Sequence, residues 1–437
     1  MLPLSEDGRL KNTLVVLTFG LAVAPASARG QAPALTLDDC IRLASSSASA
    51  LNAARHQSEI ASLGLAQARS ALLPQARANA AFAYNSPTAA GGDAPAFVAL
   101  NGAREYSALF TVVQEVDTSG RLRATQARAR ADRDAAAATL GLTERDLRRQ
   151  VTASYYRVIL ARRLAQAARD ALAESRAFEA RTRLLFEKGE AARADVVKAA
   201  AETALLEQST SAADLEAEVA SHDLASFWTT EVAAPLPLRD VLDDPVPDPP
   251  EPALALAAGE RIARRPELTL LEAQRRGFLA DASRARAERR PQASVMLQYG
   301  LDSLHLRWGD RGYAAFFGLD IPVFDWFKGR RAARQFELQA GQVDVHRQVA
   351  ERTFSREYQD ALSRARRIHG QIATTRTQVQ LSEENLRLSR LRYDGGEGSA
   401  LDVVAAQNQL AQAHTNHYTA LVRYLESWAD LKVASGE

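Results

Sequence analysis

His414 and His417 lie three residues apart on one helical face, a spacing at which two imidazoles can share a divalent cation. No cysteine and no clear carboxylate pair stands on the same turn. The pair is therefore a weak metal candidate, and surface or interhelical hydrogen bonding is its ordinary role. Glu383-Glu384, inside a long helical stretch, reads as a solvated face rather than an acid–base dyad. No Gly-rich phosphate loop, nucleophile elbow or His-Glu-x-x-His sequence occurs. Cys40 is the only cysteine, so no intrachain disulfide can form. Leu37-Asp38-Asp39 before it lacks the small residues that bacterial lipid attachment wants, and a packed helical thiol is expected. These residues predict no enzyme and no cofactor, which turns attention to the elements that carry them.

The 437 residues are 46% hydrophobic and 24% charged, enough apolar material to fold and too little net charge to stay open. Lys+Arg is 54 against Asp+Glu 53, so no basic excess points to nucleic acid. The arginines of 121–149 alternate with Asp and Glu and read as ion-paired helix surface. No run of 18 apolar residues occurs, which excludes a helical membrane span but permits a membrane β-barrel. Arg9 and Lys11 precede an apolar stretch from Leu14 to Ala24, then Ala26-Ser27-Ala28 offers a small-x-small cleavage site. Residues 1–28 are expected to be an export signal, although Glu6 and Asp7 weaken its positive region, with the mature chain starting near Arg29.

The chain is written twice. Ala68-Arg69 and Pro74-Gln75-Ala76 match Ala285-Arg286 and Pro291-Gln292-Ala293. Val116-Asp117 with Gly120-Arg121 echoes Phe324-Asp325 with Gly329-Arg330. Phe186-Glu187-Lys188-Gly189-Glu190 runs parallel to Tyr393-Asp394-Gly395-Gly396-Glu397, and Asp195-Val196-Val197 matches Asp402-Val403-Val404. Repeat 1 spans 29–233 and repeat 2 spans 253–437. Between them 234–252 carries seven prolines (Pro235, Pro237, Pro245, Pro247, Pro249, Pro250 and Pro252) and reads as an extended linker.

Within each copy a helix leads into period-two segments. The first copy has one helix over about Leu37 to Leu73, then strands at about 75–85 and 104–116. The second has strands at about 291–303 and 312–323. Ala76, Ala78, Ala80, Phe82 and Tyr84 share one side of the first strand; Tyr106, Ala108, Phe110 and Val112 share one side of the second. Ala293, Val295, Leu297, Tyr299 and Leu301, then Tyr313, Ala315, Phe317, Leu319 and Ile321, repeat the pattern. Long helical hairpins follow at 121–230 and 329–434, turning at Gly189 and Gly396. Leu164, Ala171, Phe178 and Leu185 fall seven apart, as do Ile372, Val379, Leu386 and Tyr393, which predicts supercoiled packing.

Four such strands suit a tilted bilayer crossing but cannot close a barrel, so a membrane reading requires several chains to share one. Tyr84, Tyr106, Tyr299 and Tyr313 lie on the apolar sets, where interfacial aromatic belts would fall. The alternative is a soluble antiparallel sheet packed on the helices.

The doubled plan, with Tyr-x-x-Gly-x-x-Ser-x-Leu-Asp-Val-Val at 393–404, resembles the TolC family of outer-membrane efflux channels over nearly all of the mature chain. The resemblance implies an α+β membrane protein. Its homotrimer would pool four strands per chain into a twelve-stranded β-barrel in outer-membrane lipid, continued by a long periplasmic α-helical barrel. It implies a passive exit duct of an efflux or type I secretion system. The hairpin tips, with Gly189, Gly396, Ser399 and Leu401, would dock a periplasmic adaptor (membrane fusion) protein, beyond which an inner-membrane pump supplies energy. It also places Asp195, Tyr393 and Asp402 at a periplasmic gate. Three Asp402 carboxylates around a threefold axis would favour cations and repel one another, while Asp195 and Asp402 equally suit N-caps. Gly398 and Ala405 stand where some relatives carry a latch arginine and a second acid. Rival readings are a soluble periplasmic adaptor, which has one hairpin rather than two copies of a unit, and a soluble coiled-coil scaffold. The cargo (drug, metal or polypeptide) is left open.

Overall fold

A computed structural model describes residues 34–47, 49–86, 104–249 and 262–436. The expected signal segment, the loop between the first two strands and the last prolines of the linker lie outside these residues. In chain order the elements are α1 (Leu37–Ser46), α2 (Ala50–Ser70), β1 (Gln75–Tyr84), β2 (Arg104–Val116), α3 (Arg121–Glu187) and α4 (Arg193–Ala225). The second copy follows with α5 (Pro266–Ala287), β3 (Gln292–Ser303), β4 (Arg311–Asp320), α6 (Lys328–Asp394) and α7 (Ala400–Ala434).

The strands form one antiparallel sheet in the order β1-β2-β3-β4. Register fuses the four apolar sets into a single face. Ala78 pairs with Phe110, Phe110 with Tyr299 and Tyr299 with Tyr313. The Phe82 ring lies 5.0 Å from that of Tyr106, its register partner. On the opposite face Arg77, Thr111 and Gln298 line up, and Gln298 Nε2 donates to Thr111 Oγ1 at 3.4 Å. The apolar face is uncovered: Tyr313 is 88% and Phe317 82% exposed. A soluble sheet would bury its apolar side on the helices. That expectation fails here.

Strand ends differ slightly from the predicted ones. β4 stops at Asp320, leaving Ile321 outside, because Pro322 has no N–H to continue a ladder. The single helix expected over Leu37 to Leu73 is split, α1 ending at Ser46 and α2 starting at Ala50. Ser45 and Ser47 donate hydroxyls back to the carbonyls of Ile41 and Leu43, offering the chain an alternative to the helical ladder. α2 then restarts from Ser49.

The strand-to-helix switch is made by one aspartate per copy. Asp117 accepts the amides of Leu122 and Arg123 at 3.0 and 3.1 Å, and Asp325 accepts that of Gly329 at 3.0 Å. Gly120 takes the left-handed φ of 85° before α3, whereas the same place before α6 is held by Phe327 at 62°, preceded by Trp326 at 52°. The second helix therefore begins earlier relative to its Gly-Arg pair, with Gly329 already in the first turn.

α3 and α6 each run 67 residues, roughly 100 Å at 1.5 Å per residue. On α6 the expected seam is present: Ile372, Leu386 and Tyr393 are buried and Val379 half-buried. On α3 the buried positions are instead Ala165 and Leu172, one residue on, then Ser175 and Thr182, and of the predicted series only Phe178 is buried. Small side chains win that seam because they let α4 approach; Ser175 and Thr203 exchange a hydrogen bond there at 3.1 Å.

Midway along the helices a core gathers Cys40, Tyr155, Leu224, Tyr358 and Tyr424 from both copies. Burial pushes the Cys40 thiol up to about 11. The Pro-rich segment lies against this core. Leu35 donates to Pro237 O at 2.7 Å and accepts from Arg239 at 3.0 Å. The Tyr155 hydroxyl donates to Arg239 O at 2.6 Å, and that of Tyr424 to Pro247 O.

Candidate functional site: the hairpin tips

Both long helices end in the same chain reversal. Gly189, at φ 80°, donates to Phe186 O at 2.9 Å while Glu190 reaches Leu185 O at 2.9 Å. Gly396, at φ 74°, donates to Tyr393 O at 3.1 Å while Glu397 reaches Arg392 O at 2.9 Å. This is the Schellman arrangement, which needs a left-handed residue just past the helix and so favours glycine. It makes Phe186 the counterpart of Tyr393.

The two aspartates expected as N-caps are not caps. α7 is capped by Ser399, whose hydroxyl accepts the Asp402 amide at 3.3 Å. Asp402 sits in the first turn and accepts the Ser399 amide and hydroxyl at 3.1 and 2.9 Å, closing a capping box. α4 starts after Ala192, with no side-chain cap bond, and half-buried Asp195 occupies the position equivalent to Asp402. A carboxylate in the first turn suits the positive end of the helix dipole, which is why aspartate stands there without being the cap. The Ser399 amide, then its hydroxyl, hold the Asp402 carboxyl below the usual carboxylate range, and Arg392 adds a smaller pull. Asp402 and Leu401 are both exposed.

Tyr393 is buried. Its ring lies 5.1 Å from Phe178 of α3, and its hydroxyl donates to Thr182 Oγ1 at 3.4 Å. With Ala199, Leu386, Ala400 and Val403 these rings make a small core separate from the one midway up the helices. Around its rim Arg181 Nε meets Asp394 at 2.7 Å and Arg390 pairs with Glu174. The tip thus has a clasp between α3 and α6, built from both repeats. Sequence reasoning named Phe178 and Tyr393 as heptad residues but missed Thr182, Arg181, Asp394 and Glu174. No local pattern marks ion pairs between residues so far apart in the chain.

His414 and His417 do not converge on a cation. His417 Nδ1 lies 3.1 Å from Thr375 Oγ1 on α6, while His414 stacks on Tyr418. Burial, then Arg376 and His414, push the His417 pKa down. Among the described residues no cluster of three His, Cys, Asp or Glu could hold a metal.

A doubled chain with an uncovered apolar sheet face and two paired helical hairpins narrows the possibilities, and comparison with known proteins decides among them. Residues 40–229 and 258–437 match the family described as outer membrane efflux protein, each segment covering one copy of the repeat. The chain belongs to the outer membrane efflux protein family. Nodulation protein T of Rhizobium leguminosarum bv. viciae is 30% identical over 116 residues, 26% of this chain and 24% of that protein. Outer membrane protein OprJ of Pseudomonas aeruginosa is 27% identical over 152 residues, 34% of this chain and 32% of that one. These matches span about a third or less of either relative. The fold is that of the Campylobacter jejuni CmeC outer membrane channel, with a TM-score of 0.80 at 17% identity, covering 92% of this chain and 85% of that one. Membership in the efflux family sets aside the soluble adaptor and scaffold readings and bears out the TolC-type fold.

Proposed function

We propose that three copies of this chain close a twelve-stranded barrel in the outer membrane and continue it as a helical duct through the periplasm. The observation that carries this reading is the seam inside the chain. β2 of the first copy pairs with β3 of the second, and the apolar face runs across the join unbroken. The unpaired edges, β1 and β4, are the outer strands of the two copies. The internal seam is therefore a template for the same join between chains, and three chains supply enough strands to leave no edge in lipid. The polar face lines the lumen and the apolar face meets acyl chains.

On this reading residues 1–28 are an export signal, repeats 29–233 and 253–437 are the two units of the ring, and the duct is passive. Asp402 carries the gate's charge at the tip, with Asp195 in the equivalent place on α4. Tyr393 acts through the clasp, holding α6 against α3. The turns at Gly189 and Gly396, with exposed Leu401 and the Ser399 cap beside it, receive a periplasmic adaptor that couples the duct to an inner-membrane pump. Cargo choice is left to that pump.

Membrane fractionation and native-state mass measurement test the proposal. The expected result is a trimer in the outer-membrane fraction that survives mild detergent. A water-soluble monomer would end the reading. A toxicity screen across metals, dyes and antibiotics, in strains lacking this protein or its pump, would identify the cargo class.

A further inference from the structure

The face opposite the lipid-facing set is not uniformly polar. Val113 pairs with Met296, and Met296 with Phe316, so three apolar side chains stand abreast in one row. Gln75 of β1 completes the row. The row on one side is Glu115, Ser294 and Gly318; the row on the other is Arg77, Thr111, Gln298 and Ala314. Neighbours across a ladder sit close enough for their side chains to touch, so the three form a continuous strip. Phe316 is 47% exposed, and the strip is no part of either core.

We propose that Val113, Met296 and Phe316 form an apolar band on the lumen wall that holds the aromatic body of a transiting organic anion, an inference that rests on the trimeric barrel proposed above. In that barrel the band recurs three times around the lumen wall, once on each chain. On a water-filled path only cargo can cover it. The charge beside it sets the sign of the cargo that the band can hold. Arg77 lies two residues along β1 from the row, about 7 Å at the rise of an antiparallel strand. It is exposed and makes no ion pair with the described residues. Glu115, equally near, is already held by Arg121 at 2.5 and 2.6 Å. Asp320 stands four residues from Phe316 along β4, about 14 Å away. The nearest uncommitted charge is therefore positive. The attraction of a methionine and a phenylalanine is weak enough to release cargo, as a conduit requires.

The test uses the full chain in whole cells, where buried Cys40 contributes little background. Ala314→Cys places a thiol beside the band on the same face, and Phe317→Cys places one on the opposite face. Two membrane-impermeant anionic reagents are compared, a stilbene-disulfonate maleimide and sulfonatoethyl methanethiosulfonate. The ratio of their rates at Ala314→Cys should fall about fivefold or more when Met296→Gln and Phe316→Ser are added, because the polar strip no longer draws the stilbene out of water. Met296→Leu with Phe316→Tyr, which keeps a bulky strip, should preserve the ratio. An unchanged ratio in the polar variant overturns the band while leaving the barrel intact. An Ala314→Cys thiol that neither reagent reaches, with Phe317→Cys reactive, overturns the barrel reading itself and the band with it.

Discussion

Arg181 of α3 donates from Nε to Asp394 of α6 across 2.7 Å, joining the last turns of the two long helices. Both side chains are substantially exposed, so the pair contributes about 1 kcal/mol or less to global stability. Its effect is on position. Asp394→Asn, alone and with Glu174→Gln, should lengthen open events in single-channel recordings and leave the melting temperature nearly unchanged. Unaltered open times in the double variant would show that the clasp does not restrain the tip.

Tyr393 fills the space between Phe178 and Thr182. Tyr393→Ala should cost about 3–5 kcal/mol, the usual range for deleting a buried ring. Tyr393→Phe gives up one long hydrogen bond and should cost about 1 kcal/mol or less. Hydrogen exchange at residues 386–404 would report both. Equal protection in the two variants would contradict packing as the main role of the ring.

Asp402 is an exposed carboxylate of the tip, and Asp402→Ala should lower cation preference in reversal-potential measurements. Its folded pKa is depressed by the Ser399 bonds, so the charge persists below the ordinary value of 3.8. The sign follows from linkage: the capping contribution is complete above the unfolded pKa and is lost as pH falls through the folded one. Selectivity of the native channel should therefore survive mild acid and fade only in the strongly acid range. Loss of selectivity near pH 5 would assign it to another group.

Gly300 has a φ of 154°, and a Cβ there would stand 2.0 Å from the carbonyl oxygen of Ala108. Gly312, its register partner, has open space at the same point. Gly300→Ala should abolish detergent-resistant trimer by splitting β2 from β3, whereas Gly312→Ala should assemble normally. Normal assembly of both would show that the central seam tolerates a shift.

Most of the scaffold is legible in the sequence because it repeats. Alternation over Ala293 to Leu301 and Tyr313 to Ile321 announces the strands, and the paired Gly189 and Gly396 announce the turns. The cap at Ser399 is also within reach, since Ser-x-x-Asp is a readable box. Asp402 masks it, because an aspartate alone suits a cap equally well. The break between α1 and α2 is hidden by an apolar period that continues across it, while serine hydroxyls compete for the backbone. The clasp is not legible at all. Glu174 and Arg390, or Arg181 and Asp394, come together only through the packing of whole helices. Charges this common on helix surfaces give no advance sign of which partner they will find.

The tie between Leu35 and the Pro237–Arg239 stretch bears on the order in which the molecule comes together. Leu35 is synthesised early, yet its backbone partners appear only after the entire first hairpin has been made. Distant pairings of this kind form slowly, since a long loop must close before they hold. The segment leading into α1 is therefore secured only after α4 has been made. Until then α1 is held by its packing on α3 alone.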